Sequence, residues 1–170
     1  EMCIRDRRRD VLAEAVAECR RLGLKIVPWL EFGMMAPQES TLAQRHPDWL
    51  TQRRDGTTNY TYGEHVRVWL NPTHPEVQQL MLDLVRDILS RYNVDGIQLD
   101  DHFGMPIEAG YDALNVAKYK AERQNQEPPA DPRDPDWMAW RSQRVSDLMA
   151  KLRQTMRDTK PNVYFSLSPN

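Results

Sequence analysis

VDGIQLDDHFG, residues Val94 to Gly104, is the stretch on which the reading of this chain turns. Gly96 to Leu99 is a short, mostly apolar run bounded by turn residues, the pattern of a buried strand. It ends on two adjacent carboxylates, Asp100 and Asp101, followed by His102 and Phe103. A buried strand that stops on acids carries them at its C-terminal tip, the edge at which parallel α/β sheets and barrels bind ligands. Successive strand residues face opposite sides, so the two carboxylates have different surroundings. One is expected to point into the barrel or cleft and the other to brace the loop. The plainer alternative is an acidic strand end that caps the following turn.

Working outward, the segment before this strand is a strong helix. Pro75 opens it, and Val77, Leu80, Met81, Leu84, Val85, Ile88 and Leu89 form one apolar stripe. Further upstream, Val11, Leu12, Ala15, Val16, Cys19 and Leu22 recur at helical spacing, with Gly23 in the C-cap position. Leu24 to Leu30 then reads as a buried strand in which Pro28 is an oddity. From Gly33 to about His74 the chain reads as a long polar connection with turn signals. Downstream, a short helix is expected over Tyr111 to Arg123, a longer one over Asp136 to Thr159, and a third strand over Val163 to Leu167. The order predicts parallel strands joined by right-handed crossovers. Helix-to-strand links are short, while both strand-to-helix segments run to about thirty or forty residues. Elaboration of the C-terminal face alone is the habit of barrel enzymes. The expected fold is therefore α/β, a partial TIM (β/α)8 barrel with long βα loops on the C-terminal face. Residues 1–9 fit no pattern that follows and read as a non-native N-terminal extension. Residues 10–170 read as the central part of a truncated barrel domain.

The bulk of the chain narrows the function by exclusion. With 170 residues it can form one domain with a core, and a net charge of −2 argues against a nucleic-acid binder held by bulk electrostatics. No apolar run approaches the length of a membrane span. Cys3 and Cys19 have neither metal-site spacing nor a disulfide framework, and Cys19 reads as a small core residue. His46, His65, His74 and His102 are scattered, without HExxH spacing. No dinucleotide fingerprint, phosphate loop, nucleophile elbow or catalytic cysteine pattern occurs. No cofactor is expected.

What remains is carboxylate chemistry. Glu31 ends the first strand as Asp100 ends the second, and Ser168 and Asn170 follow the third. Neighbouring strands lie about 4.8 Å apart. Acids on adjacent tips can thus approach the separations used in glycoside hydrolysis, about 5 Å for retaining and about 6.5–9.5 Å for inverting enzymes. Trp29 alternates with Glu31 and should face the same side. Trp69 is a candidate stacking platform for a sugar ring, with core packing as its alternative. Asn71 reads as helix-entry chemistry that can still reach the rim, Arg53 to Gly56 as a solvated turn. Asp100, Asp101 and His102 form a conceivable divalent-cation group.

The runs GLKIVPWLEFGMMAP, HPDWLTQRRDG, VWLNPTHPEVQQ, VDGIQLDDHFG and SLSPN, collinear from about Asp10 to Asn170, resemble the glycosyl hydrolase-like 10 family of barrel proteins. The resemblance implies a bacterial-envelope protein acting on a carbohydrate, with peptidoglycan glycan strands as the leading substrate. It implies catalytic roles for Asp100, Asp101 and Glu31, with Asp100 as nucleophile or base. Trp29, His102, Trp69, Asn71, Ser168 and Asn170 are the expected substrate-binding residues. The absent barrel strands leave the fragment itself expected to be inactive. Two rivals stay open: a non-catalytic carbohydrate-binding barrel and a metal-dependent hydrolase.

Overall fold

In the computed structural model, which describes residues 9–31 and 33–168, the strand of the decisive stretch is the centre of a parallel sheet. In chain order the elements are α1 (Val11–Arg21), β1 (Trp29–Leu30), β2 (Met35–Pro37), α2 (Thr41–Arg45) and a 3-10 turn (Pro47–Trp49). They continue with β3 (Asn59–Tyr62), β4 (His65–Trp69), α3 (Pro75–Arg91), β5 (Gly96–Leu99), α4 (Ala113–Glu122), α5 (Pro135–Thr159) and β6 (Tyr164–Leu167). β1, β5 and β6 pair in parallel in the order β1-β5-β6, as the alternation of helices and strands requires.

The expected strand from Leu24 to Leu30 is paired as a ladder only over its last two residues. Pro28 is the reason: its nitrogen has no hydrogen to donate, so only its carbonyl is used, accepting from Gln98 N–H at 2.9 Å. The approach to it is tied down by the Asp95 N–H to the Ile26 carbonyl, 2.8 Å, and by the Ile26 N–H to the Asp95 carboxylate, 2.8 Å.

Helices α3 and α5 pack on each other and on one face of this sheet. α3 starts at Pro75, whose missing N–H costs nothing in the first turn, and buries Val77, Met81, Val85, Ile88 and Leu89. α5 contributes Leu148, Leu152 and Met156, and the β5 residues Ile97 and Leu99 beneath them are fully buried. α1 is capped by Asp10, which accepts from Ala13 N–H at 2.9 Å, and ends on Gly23 at φ +69°. Its apolar stripe is covered less than its spacing suggests: Val16 is buried, Cys19 half-buried, and Val11 and Leu22 exposed.

The segment between β1 and α3 is not the loop its polarity suggests. It folds its own antiparallel sheet, β2-β4-β3, with Tyr60 opposite Arg67 and Met35 opposite Trp69. Gly63 at φ +61° opens the two-residue turn between β3 and β4, since Tyr62 pairs with His65. A second, smaller core lies under α4 and α5. Trp137 and Trp140 stack at 5.1 Å, and Tyr119 meets both edge-on. No helix among the described residues is long and apolar enough to cross a membrane.

Candidate active site

The register of the parallel sheet sets Trp29, Gln98 and Ser166 side by side, on the face away from Leu30, Leu99 and Ile97. One pleat further on stand Glu31, Asp100 and Ser168, all at the C-terminal rim. The Ser168 N–H to Leu99 carbonyl bond, 2.9 Å, carries the β5–β6 ladder up to that level. Trp29 and Glu31 are exposed there, Ser168 is half-buried, and Asp100 is only 3% exposed. Asn170 and the adjoining Phe32 lie outside the described residues.

Asp100 is buried with a partner. Its Oδ2 is hydrogen-bonded to His102 Nδ1, and the same nitrogen lies 3.0 Å from Asp101 Oδ1. The imidazole therefore bridges two carboxylates that are adjacent in sequence, each half-buried or more. Burial alone would raise the pKa of Asp100. Hydrogen bonds from the His102 ring and from the backbone N–H of Asp101 are among the interactions that outweigh it, and the carboxyl is held below its ordinary range. An acid so placed is a carboxylate at neutral pH, suited to act as nucleophile, base or cation ligand and not as a proton donor. The three side chains also present ligand atoms within 4.8 Å of one another, close enough to hold one divalent cation.

The loop is braced from two sides. Gly33, at φ +50°, lies so close that a Cβ there would come within 2.6 Å of Phe103 N and 2.8 Å of His102 C. The neighbouring Met34 N–H donates to the His102 carbonyl at 3.2 Å, and Leu70 N–H donates to the Met34 carbonyl at 2.8 Å. Through this strip the antiparallel sheet is tied to the acidic loop. Trp69, at the end of β4, is 8% exposed, with its ring 6.5 Å from His102 and edge-on to Tyr60 at 5.3 Å. In this position it is a floor beneath His102 rather than an open platform.

Asn71 is placed in a buried polar post. Its Nδ2 donates to Asp112 Oδ1 at 2.9 Å, and its Oδ1 accepts from Asn115 Nδ2 at 3.1 Å and Thr73 N–H at 3.0 Å. Asp112 also accepts from the Thr51 hydroxyl at 3.1 Å and caps α4 through Asn115 N–H at 3.0 Å. The structure thus gathers Asp100, Asp101, His102 and Trp69, keeps Trp29, Glu31 and Ser168 on the same rim, and commits Asn71 to holding two loops together. Thr51, Asp112, Asn115 and Arg141 were not singled out from the sequence. Asp112 carried a legible signal, an aspartate directly before a helical run.

These features sit on a sequence with known relatives. The model of the glycosyl hydrolase-like 10 family matches residues 2–170. The chain belongs to that family. This glycosyl hydrolase-like 10 chain is 31% identical over 171 residues to "Glycosyl hydrolase DigH" of Escherichia coli K12, covering 94% of the chain and 36% of the relative. It is 24% identical over 168 residues to "Glycosyl hydrolase YngK" of Bacillus subtilis, covering 94% and 29%. It therefore spans about a third of the length of the curated relatives it matches. Among solved structures, alpha-L-fucosidase isoenzyme 2 from Paenibacillus thiaminolyticus superposes with a TM-score of 0.69 at 18% identity, covering 92% of the chain and 22% of that enzyme. At that identity the likeness establishes the fold: an α/β segment of a TIM barrel, here with an open parallel sheet.

Proposed function

We propose that, in its intact protein, this chain forms part of the catalytic barrel of a glycoside hydrolase acting on a polysaccharide, with peptidoglycan glycan strands at the cell envelope as the substrate. The observation that carries the reading is Asp100: a nearly fully buried carboxylate, kept ionised, at the C-terminal tip of the central parallel strand. Family membership and the names of the curated relatives support the reaction class. Asp100 acts as nucleophile or base, and Asp101 and His102 fix its orientation. Glu31, exposed on the neighbouring strand tip, is the in-chain candidate for an acid or for a substrate hydroxyl contact. Trp29 offers its exposed ring one pleat below, where a sugar face can stack.

Asp100→Asn in the intact protein is the test. It keeps shape while removing charge. Turnover of glycan strands should fall by about 10²–10⁴-fold with oligosaccharide binding retained. Turnover within a few-fold of wild type would remove Asp100 from the mechanism, and a wild type that binds glycan without cleaving it would leave a carbohydrate-binding barrel. The three ligand atoms within 4.8 Å favour a second reading, hydrolysis assisted by a divalent cation. Loss of turnover on chelation, restored by added metal, would select it.

A further inference from the structure

Trp69 is the aromatic that the sequence offers as a sugar platform, and its surroundings suit it to another task. Its backbone is fixed from both sides: it stands opposite Met35 of β2, and its carbonyl accepts from Thr51 N–H at 2.9 Å. Its side chain meets Tyr60 edge-on at 5.3 Å, across the β3–β4 pairing in which Tyr60 stands opposite Arg67. Such diagonal contacts are within reach of long aromatic side chains on an antiparallel pair. The guanidinium of Arg53 covers the Tyr60 ring in turn, with Cζ 4.0 Å from its centroid. The Tyr60 hydroxyl is buried without a hydrogen-bond partner among the described residues, so this position uses the ring and not its polar tip.

Trp69 also reaches His102, with ring centroids 6.5 Å apart and planes inclined at 48°. The Nδ1 of that imidazole serves both Asp100 Oδ2 and Asp101 Oδ1. An ionised carboxylate only accepts, so the nitrogen between the two acids carries the hydrogen. Rotation of a histidine ring about its Cβ–Cγ bond lies in a broad well, and packing against the ring is what narrows it. Trp69 supplies that packing. The strip from Leu70 through Met34 to the His102 carbonyl, with bonds of 2.8 and 3.2 Å, keeps the end of β4 and the acidic loop in register.

We propose that Trp69, braced by Tyr60, is a positioning residue: it holds the His102 ring in the orientation that bridges the two carboxylates, and through His102 it sets the aim of Asp100 without touching the sugar. The inference rests on the role proposed above for Asp100. It goes further in assigning Trp69 to the acids instead of to the substrate, and in giving the antiparallel sheet a part in the reaction.

The test uses the intact protein with Trp69→Leu, Trp69→Phe, Tyr60→Leu and, as a control, Trp140→Leu, which empties another buried ring from the separate core under α4 and α5. Each folded variant is read twice, by kcat and KM on glycan strands and by the Nδ1–H proton resonance of His102, assigned by its absence from His102→Gln. Trp69→Leu should lower kcat about 10–100-fold with KM within about twofold of wild type, because a small misplacement of a reacting group is costly in rate. It should also broaden or abolish the His102 resonance. Trp69→Phe, which keeps a ring in place, should recover most of both. Trp140→Leu should lose thermal stability and keep kcat, KM and the resonance. A raised KM with unchanged kcat in Trp69→Leu would make Trp69 a sugar platform and overturn the proposal, as would an unchanged His102 resonance or an equal loss of kcat in Trp140→Leu. Tyr60→Leu leaves Trp69 itself in place and should move kcat and the resonance in the same direction by less. Wild-type values of both in that variant would overturn the brace even where Trp69→Leu does not fold. A wild type that cleaves no glycan would overturn the hydrolase reading, and the resonance alone would then decide whether Trp69 positions His102.

Discussion

The two long connections that follow β1 and β5 look alike in sequence, both polar and both rich in proline and turn residues, yet they are held by different physics. The first, between β1 and α3, builds its own hydrogen-bonded ladder, β2-β4-β3, so its backbone groups satisfy one another. The second, between β5 and α5, has no strand among its described residues. It is held instead by helix α4, by the Asn71–Asp112–Asn115 post and by one buried side chain that collects several of its loop carbonyls. Arg141 of α5, 5% exposed, donates to the carbonyls of Ile107 and Pro132, to Ala109 at 2.8 Å, and more weakly to Pro106 at 3.4 Å. A ladder spreads its stability over many equivalent bonds, and a hub concentrates it in a few buried side chains, here Arg141 and Asp112. Segments on the functional face can thus be equally ordered and very unequally fragile.

The largest expected effect follows from the hub. Arg141→Met keeps much of the length and apolar stem but takes the donor from the carbonyls of Ile107, Ala109 and Pro132, while Pro106 keeps the Ala109 N–H. At about 1–3 kcal/mol for each buried acceptor left unsatisfied, a total loss of about 3–5 kcal/mol is expected. The damage should be local: proteolytic nicking between Met105 and Asp112 should accelerate while the β2-β4-β3 sheet stays protected. Equal exposure of both segments, or a thermal transition that does not move, would show that the second connection does not depend on Arg141.

The contrast also explains what could be read in advance. The parallel sheet, the crossover order and the helix from Pro75 to Arg91 were legible because burial on one stripe or two faces writes a period into the sequence. The antiparallel sheet was hidden because its strands are short and mix Asn59, Thr61, His65 and Arg67 with apolar residues. The signal available was the Gly63-Glu64 pair between two alternating runs. Of the candidate site, the placement of Asp100, Asp101 and His102 followed from where β5 stops. The role of Trp69 did not, because sequence cannot say whether an aromatic at a strand end faces solvent or lies beneath another ring. Nor did Arg141 stand out, since its partners are backbone carbonyls, which every residue carries.

A middle-sized effect tests the seam between the two connections. Gly33 has a positive φ, and an added Cβ would meet the backbone of His102 and Phe103. Gly33→Ala should cost about 1–3 kcal/mol, from the strained conformation together with the displaced loop. Because the loop that must yield carries His102, turnover in the intact protein should fall more than thermal stability alone accounts for, while KM stays nearly constant. A variant destabilised but fully active when folded would uncouple the first connection from the acids.

The smallest effect is the sharpest check on the ladder. Thr61 is exposed and sits directly opposite Val66, itself partly exposed, in the β3–β4 pairing. Thr61→Val replaces a hydroxyl by a methyl on an outward face, keeps the β-branched shape and adds an apolar cross-strand pair. No hydrogen bond is assigned to the Thr61 side chain among the described residues, so nothing buried is left unpaired. The change should lie within about 0.5 kcal/mol of wild type, with turnover and glycan binding unaffected. Thermal unfolding of this variant beside Arg141→Met would place the two connections on one scale. A loss from Thr61→Val comparable to that from Arg141→Met would mean that the first connection also hangs on single side chains, and that its ladder is not what holds it.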